Sequence, residues 1–369
     1  MGQARAGTLR TRHSTLNTPA FLPCATYGSL RGLTRQQLSS IGFEALLVNA
    51  YHLYLQPGIQ SIAEQGGLHR WMGWNQIILT DSGGFQAFAL SRLARVSEQG
   101  IVFQSHRDGS RHQFTPESVV QMQEVLGVDM ATCLDVCTGF PASRKQVRAA
   151  VEQTNRWAQR SIAAWSDARM LLYGMVQGSV YEDERRRSAE FLRSLPFGGF
   201  AIGGNMYTFG QPLEVLRREK PAMWRVVSFT SSLLPEEKPR HLLGVGEPHD
   251  LIDGVRSGID TFDCVMASRI ARHGAAWRRV AAEGWQYERI NVRTARWRNV
   301  QGPIDTSCTC PTCAANIQCA YLHHLFKVGD SAAGSYLTLH NEWFLRQLAG
   351  QIRSSVLDGT FEDKFGYTT

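Results

Sequence analysis

Three aspartates stand at the ends of apolar, strand-like runs. Asp81 closes QIILTDS (76–82), Asp135 lies in DMATCLDV (129–136) and Asp263 in DTFDCVMA (260–267). An ionisable group at the end of a buried strand costs free energy unless something there uses its charge. Two carboxylates facing one substrate can divide the work of nucleophile and acid/base. Glycosidic bond exchange through an oxocarbenium-like transition state needs that division. A third carboxylate beside an amide suits the reading of a heterocycle. Asp135 can accept from the ring N–H and amino groups of a guanine, and Gln177, in MLLYGMVQG (170–178), can donate to its carbonyl oxygen. Glycines at 83–84 and 203–204 let backbone N–H groups approach a flat ligand. Phe85 is placed to cover one ring face, with Leu243 as the candidate for the other. A strand-end aspartate also serves as a helix N-cap, but three of them among glycine-rich loops point to one mouth. The residues describe chemistry at a sugar carbon beside a purine-like base.

A second group sits in CTCPTC, which brings Cys308, Cys310 and Cys313 together. Three thiolates need a fourth ligand to close a tetrahedral zinc site, and Cys319, His323, His324 and His340 all compete for that place by spacing. A closed Cys₃His site is structural and leaves the metal no open position for chemistry. The other four cysteines, Cys24, Cys133, Cys137 and Cys264, have apolar surroundings and read as small core residues. Arg269, Arg272 and His273 in SRIARHG, followed by Arg278 and Arg279, could hold phosphates beside Asp263 or form a solvated basic loop. The run Arg185–Arg187, next to Glu182, Asp183 and Glu184, reads as a solvated helix face.

The elements that must position these groups alternate along most of the 369 residues. Candidate strands are 18–26, 44–50, 76–82, 129–136, 170–178, 199–204, 240–246 and 260–267. Helical stretches fall between most of them, several with Pro in the first turn and Gly at the end. Eight near-continuous apolar strands with helical crossovers predict a (β/α)₈ barrel of the TIM type, with a doubly wound open sheet as its rival. Barrel enzymes carry their chemistry at the carboxyl ends of the strands, which is where the three aspartates and Gln177 stand. GIVFQSHRDGSRHQF (100–114) predicts an inserted hairpin turning at Asp108-Gly109. The expected division is a catalytic barrel over 1–285 and a zinc-binding helical subdomain over 286–369. No apolar run reaches the length of a membrane span, the N-terminus lacks an apolar signal core, and Ala6 stands where myristoylation wants Ser or Thr. The expectation is a cytoplasmic protein. A net charge of +7 favours an anionic partner, nucleic acid first.

The chain resembles the tRNA-guanine transglycosylases, or queuine tRNA-ribosyltransferases, of bacterial type. The likeness rests on TPAFLPCATYGSLRGLT, NAYHLYLQPG, GGLHRWMGW, ILTDSGGFQ, SHRDGSRHQFTPE, VQGSV, LLGVGEP, GIDTFDCV, SRIARHG, CTCPTC and LTLHN, spread over nearly the whole chain. It implies a zinc-carrying barrel, usually a homodimer, that exchanges the wobble guanine of a tRNA with a GUN anticodon for a free 7-deazaguanine base. By the same resemblance Asp263 is the nucleophile at ribose C1′ and Asp81 the general acid/base. Ser82, Phe85, Asp135, Gln177 and Gly204 take the base, and Leu243 joins them on the reading of the residues. Asn49 contacts ribose, Arg269 and Arg272 hold the anticodon, and His340 completes the zinc site. Three departures stand out. Val136 replaces a common glutamate, and Met266-Ala267-Ser268 follows strand eight where a Pro-Thr pair is usual. Asn205–Phe209 replaces a loop whose final glutamate helps hold the cationic preQ1 side chain. The candidate bases are preQ1, queuine and the neutral relative preQ0, and Phe209 in that place tilts the expectation slightly away from preQ1. A relative acting on DNA and a non-catalytic RNA-binding subunit are the alternatives.

Overall fold

The computed structural model describes residues 3–90, 93–204, 213–280 and 285–366. Each of the eight apolar runs contributes a parallel strand: β1 (Ala20–Pro23), β2 (Ala45–Asn49), β3 (Ile77–Asp81), β4 (Met130–Thr132), β5 (Leu171–Val176), β6 (Gly199–Ile202), β7 (Arg240–Leu242) and β8 (Thr261–Cys264). They hydrogen-bond in the order β1-β8-β7-β6-β5-β4-β3-β2. A parallel bridge between Cys24 and Leu47 joins the two edges. The sheet is therefore a nearly closed TIM-like barrel and not an open doubly wound sheet.

Local sequence explains the helices between strands. The Pro116–Leu126 helix has a Thr115–Ser118 capping box, Pro at its first turn and Gly127 in the left-handed region at its end. The Arg144–Ala164 helix begins with the same reciprocal cap between Ser143 and Gln146. Its apolar face puts Val147, Val151, Trp157 and Ala158 inside. The Pro248–Arg256 helix lies so close to β8 that a Cβ on Gly254 would fall 2.2 Å from the Phe262 ring. That approach seals Phe262, which keeps about 1% of its surface. Burying a side chain of this kind contributes about 1.5–3 kcal/mol, and here it fixes the strand that carries Asp263.

The strands are shorter than the apolar runs that signal them. β4 stops at Thr132, and beyond it the chain leaves the ladder, with Val136 N–H donating to Thr154 Oγ1 at 3.0 Å. Asp135 is thus held on a loop just past the strand. The inserted hairpin pairs Ile101–Gln104 with Arg111–Phe114 and gains a third strand, Arg95–Val96. Its connection runs over residues 105–110, because Gln104 pairs with Arg111. Two antiparallel pairs carried no clear sequence signal: Gly7–Arg10 with Thr15–Thr18, and Ala275–Arg279 with Tyr287–Asn291. The second spans residue 285, the expected domain boundary, and so links barrel and cysteine module.

The 26-residue helix Ala332–Leu357 is the other link. Its Asn341 side chain donates to the carbonyls of Ala267 (3.0 Å) and Ala275 (3.1 Å) and accepts from Trp277 N–H (3.2 Å). A buried amide with every donor and acceptor engaged holds one geometry. It locks the long helix to the Met266–Arg272 helix that follows β8. Among the described residues no helix is long and apolar enough to cross a membrane.

Candidate active site and metal centre

At the carboxyl end of β3, Asp81 is surrounded by donors. Its Oδ1 accepts from Ala50 N–H at 3.1 Å. Its Oδ2 accepts from Gln86 Nε2 at 3.0 Å and from Asn49 Nδ2. Asn49 ends β2 and also caps the Ala50–Leu55 helix, its Oδ1 accepting from His52 N–H. Both ends of the Asn49 amide are thus engaged within the protein, one of them on Asp81. Burial raises Asp81 strongly; the Ala50 N–H opposes it, the charge of Asp263 adds to it, and the carboxyl rests at about 7. It is poised between acid and base at neutral pH.

Asp263 lies across the mouth on β8, buried, with Oδ1 accepting from Gly244 N–H at 3.0 Å and facing His241 Nε2 at 3.1 Å. Cys24 Sγ is 3.4 Å from Oδ2. Asp135 receives Gln177 Nε2 on its Oδ2, with the Cys137 thiol 3.5 Å away. Burial lifts Asp135 to about 6, against the Gln177 hydrogen bond. Gln177 is buried as well, its N–H bonded to Ser188 Oγ at 3.1 Å. Ser82 is buried, its Oγ accepting from Gly84 N–H at 3.3 Å, and Phe85 and Leu243 are half-buried. Gly204 adopts φ +62°, and a Cβ there would fall 2.2 Å from Gln177 Oε1. Phe209, with the rest of 205–212, lies outside the described residues. Val136 is half-buried next to Asp135.

Three features of the site had no sequence signal or a misleading one. Arg185 is not on a solvated face: it keeps about 1% of its surface and turns inward, as does Glu184. Its guanidinium donates to the carbonyls of Val176, Ser179, Gly203 and Gly204 at 2.8–3.2 Å. It therefore holds the ends of β5 and β6 together beneath Gln177. Arg186 and Arg187 do face solvent, as the charge pattern predicts. Cys24 and Cys137 are more than core filler, since each meets a site carboxylate. His241 reads in sequence as one polar residue in an apolar strand, and only the fold sets it against Asp263.

At the rim, Arg269 is exposed and Arg272 half-buried on the helix after β8. Burial, then the charges of Arg31 and Arg269, lower Arg272 below its ordinary value. Its Nη1 is buried with no hydrogen-bond partner among the described residues. Three guanidiniums crowded this way favour an anionic partner. Arg278 is not part of that group: it pairs with Glu288 and stacks over Trp297.

Cys308, Cys310, Cys313 and His340 offer ligand atoms that all lie within 4.8 Å of one another. The three sulfurs are 3.6, 3.5 and 3.4 Å from His340 Nδ1. His340 Nε2 is 2.6 Å from the Trp277 carbonyl, so it carries the proton and leaves Nδ1 free to ligate. The competitors are disposed of elsewhere. His323 Nδ1 donates to the Val292 carbonyl, His324 is exposed, and Cys319 is buried apart from the cluster. The donor set fits a metal ion.

The queuine tRNA-ribosyltransferase family model matches residues 1–365. A queuine tRNA-ribosyltransferase of Desulforudis audaxviator is 44% identical over 360 residues, covering 97% of this chain and 92% of the relative. Relatives with the same description from Dehalococcoides mccartyi and Pelotomaculum thermopropionicum are each 43% identical; they cover 98% of this chain and 88% and 94% of their own lengths. With a nearly closed eight-stranded barrel, a Cys₃His cluster and likeness over almost its full length, the chain belongs to the queuine tRNA-ribosyltransferase family.

Proposed function

We propose that this protein exchanges the wobble guanine of tRNAs with a GUN anticodon for a 7-deazaguanine base, through a covalent aspartyl-ribose intermediate. The observation that carries the reading is the pairing of Asp263 with Asp81 across one mouth, the second carboxyl lifted to about 7 beside a buried Asp135–Gln177 reading pair. A carboxylate oxygen of Asp263 attacks C1′ as the C1′–N9 bond of guanosine breaks. The bonding pair passes to N9, and protonated Asp81 supplies the proton that neutralises the departing base. The incoming base then loses its N9 proton to Asp81, N9 attacks C1′, and Asp263 leaves as a carboxylate. Atoms and charge balance over the cycle, and both carboxyl groups return to their starting states.

Asp135 and Gln177 read the base edge, Gly204 and Ser82 border it, and Phe85 and Leu243 cover its faces. In this reading Asn49 contacts ribose through its second amide N–H while it holds Asp81. Arg269 and Arg272 engage anticodon phosphates. Zinc is the metal that three thiolates and an imidazole suit best; it closes the module and leaves the chemistry to the aspartates. The organisation proposed with it is a catalytic barrel over 1–285 and a zinc-binding region over 286–369, in a homodimer working in the cytoplasm. Phe209, where the family usually has a glutamate, deprives the cationic aminomethyl group of preQ1 of one anionic partner and favours a neutral base such as preQ0.

The test is base exchange into tRNA bearing a GUN anticodon, with labelled guanine, followed by a chase with preQ1, queuine and preQ0 separately. Label enters with the wild type and not with Asp263→Asn, and the base that displaces it irreversibly is the substrate. Turnover on duplex DNA without turnover on tRNA would overturn the reading. Activity that appears only with a second chain and survives loss of both aspartates would do the same.

A further inference from the structure

His241 lies on β7 with no exposed surface, directly opposite Thr261 on β8. Its Nδ1 is 2.9 Å from Thr261 Oγ1 and its Nε2 3.1 Å from Asp263 Oδ1. Thr261 and Asp263 are two apart on one strand, so their side chains share a face. An ionised carboxylate only accepts, so Nε2 carries a proton toward Asp263, while the Thr261 hydroxyl holds the ring at Nδ1. Gly244 N–H also donates to Oδ1, at 3.0 Å. The two oxygens of Asp263 are therefore unequal. Oδ1 takes two good donors, whereas Oδ2 meets the Cys24 thiol at 3.4 Å, a weak donor.

We propose that His241 is a positioning residue that pins Asp263 Oδ1, making Oδ2 the atom that attacks ribose C1′. The inference rests on the reading of Asp263 as nucleophile. The Oδ2–C1′ bond forms as C1′–N9 breaks, with the proton for N9 coming from Asp81. His241 neither gains nor loses a proton. In the ester, Oδ1 becomes the carbonyl oxygen and keeps the same two donors. When the second base arrives and the ester bond breaks, those donors face the charge that returns to the carboxylate. A fixed donor aimed where charge develops needs no reorganisation during the step.

The experiment compares His241→Phe, His241→Gln and His241→Asn with Asp263→Asn, by single-turnover formation of the covalent tRNA adduct and steady-state KM for guanine. Phe keeps a ring and loses the donor. Gln carries an amide N–H near the Nε2 position, and Asn carries one only near Nδ1. Adduct formation in His241→Phe is expected to fall about 10²-fold, the cost of an attacking oxygen displaced by about 1 Å, with KM for guanine within about two-fold. His241→Gln recovers most of the rate and His241→Asn does not. A wild-type rate in His241→Phe, with Asp263→Asn inactive, overturns the role of His241 alone. Equal rates for the Gln and Asn variants, both folded by thermal melt, overturn it too, including where the Phe variant fails to fold. Adduct formation by Asp263→Asn overturns the nucleophile reading underneath.

Discussion

Gln86→Ala should displace the pH at which the first half of the exchange fails. Asp81 stands at about 7 because burial raises it more than its donors lower it, with Asp263 adding a further upward push. Gln86 Nε2 donates to Oδ2 at 3.0 Å and so stabilises only the ionised form. A hydrogen bond to a charged acceptor contributes about 1.5–3 kcal/mol, and about 1.4 kcal/mol moves a pKa by one pH unit. Asp81 is half-buried, so water that refills the space returns part of this. The remaining effect is an upward displacement of about one pH unit. In the proposed mechanism departing guanine takes its proton from protonated Asp81. Adduct formation by the wild type should therefore be flat in acid and fall tenfold per pH unit above about 7. In the variant that falling limb moves to about pH 8. Capture of the incoming base needs ionised Asp81, so its rising limb moves the same way. The assay is single-turnover adduct formation on a gel, followed by release with excess base, from about pH 5 to about pH 9. A falling limb that stays in place or moves toward acid refutes the reasoning. A rate that climbs through about pH 4 and is then flat removes Asp81 as the acid.

Three further outcomes follow from the geometry. Gly204→Ala adds a Cβ where φ is +62° and Gln177 Oε1 would lie 2.2 Å away; backbone strain of about 1–2 kcal/mol and the displaced amide should raise KM for the base about tenfold or more, and an unchanged KM would remove Gly204 from the pocket. Cys313→Ser should abolish metal binding, measured as metal per chain, and lower the melting temperature, because that sulfur stands 3.4 Å from His340 Nδ1; a full metal complement in the variant would contradict the proposed ligand set. Asp129 is fully buried at the other end of the barrel, where burial raises it but hydrogen bonds from His69, Ile78 N–H and His13 hold it at about 2. A carboxyl held below its unfolded value contributes stability that is present above about pH 4 and is lost as pH falls through about 2. That contribution is about 2 kcal/mol, so between about pH 5 and pH 2 the wild type should lose that much more than Asp129→Asn in urea unfolding. Equal losses would show that the two histidines do not stabilise the carboxylate.

The eight barrel strands were legible because their apolar runs are nearly continuous, as strands buried on both faces must be. The helices were legible from their caps, for example Thr115 with Pro116 and Gly127 at the far end. Asp81, Asp135 and Gln177 could be read as site candidates because each breaks such a run at its carboxyl end, where a side chain leaves the ladder and enters the mouth. The antiparallel pair Ala275–Arg279 with Tyr287–Asn291 gave no such signal. Its strands are mixed in polarity and lack any alternation: Ala275, Ala276 and Trp277 are buried in succession before Arg278 and Arg279, and Ile290 alone is buried in the partner strand.

Composition and order along the chain by themselves determined the fold class, the metal-ligating thiols and the three carboxylates. Those follow from local patterns: apolar runs, caps and the spacing in CTCPTC. Tertiary structure decided which groups meet. Arg185 belongs to a charged run that any helix could expose, yet four carbonyls from the ends of β5 and β6 converge on it and draw it inside. His340 follows Cys313 by 27 residues, and a helix docked through Asn341 brings it to the three thiols while His323 turns to a backbone carbonyl. His241 faces Asp263 only because β7 lies beside β8 in register. A hydrogen bond between residues distant in sequence depends on the register and direction of two separate elements, and packing around the closed barrel fixes both.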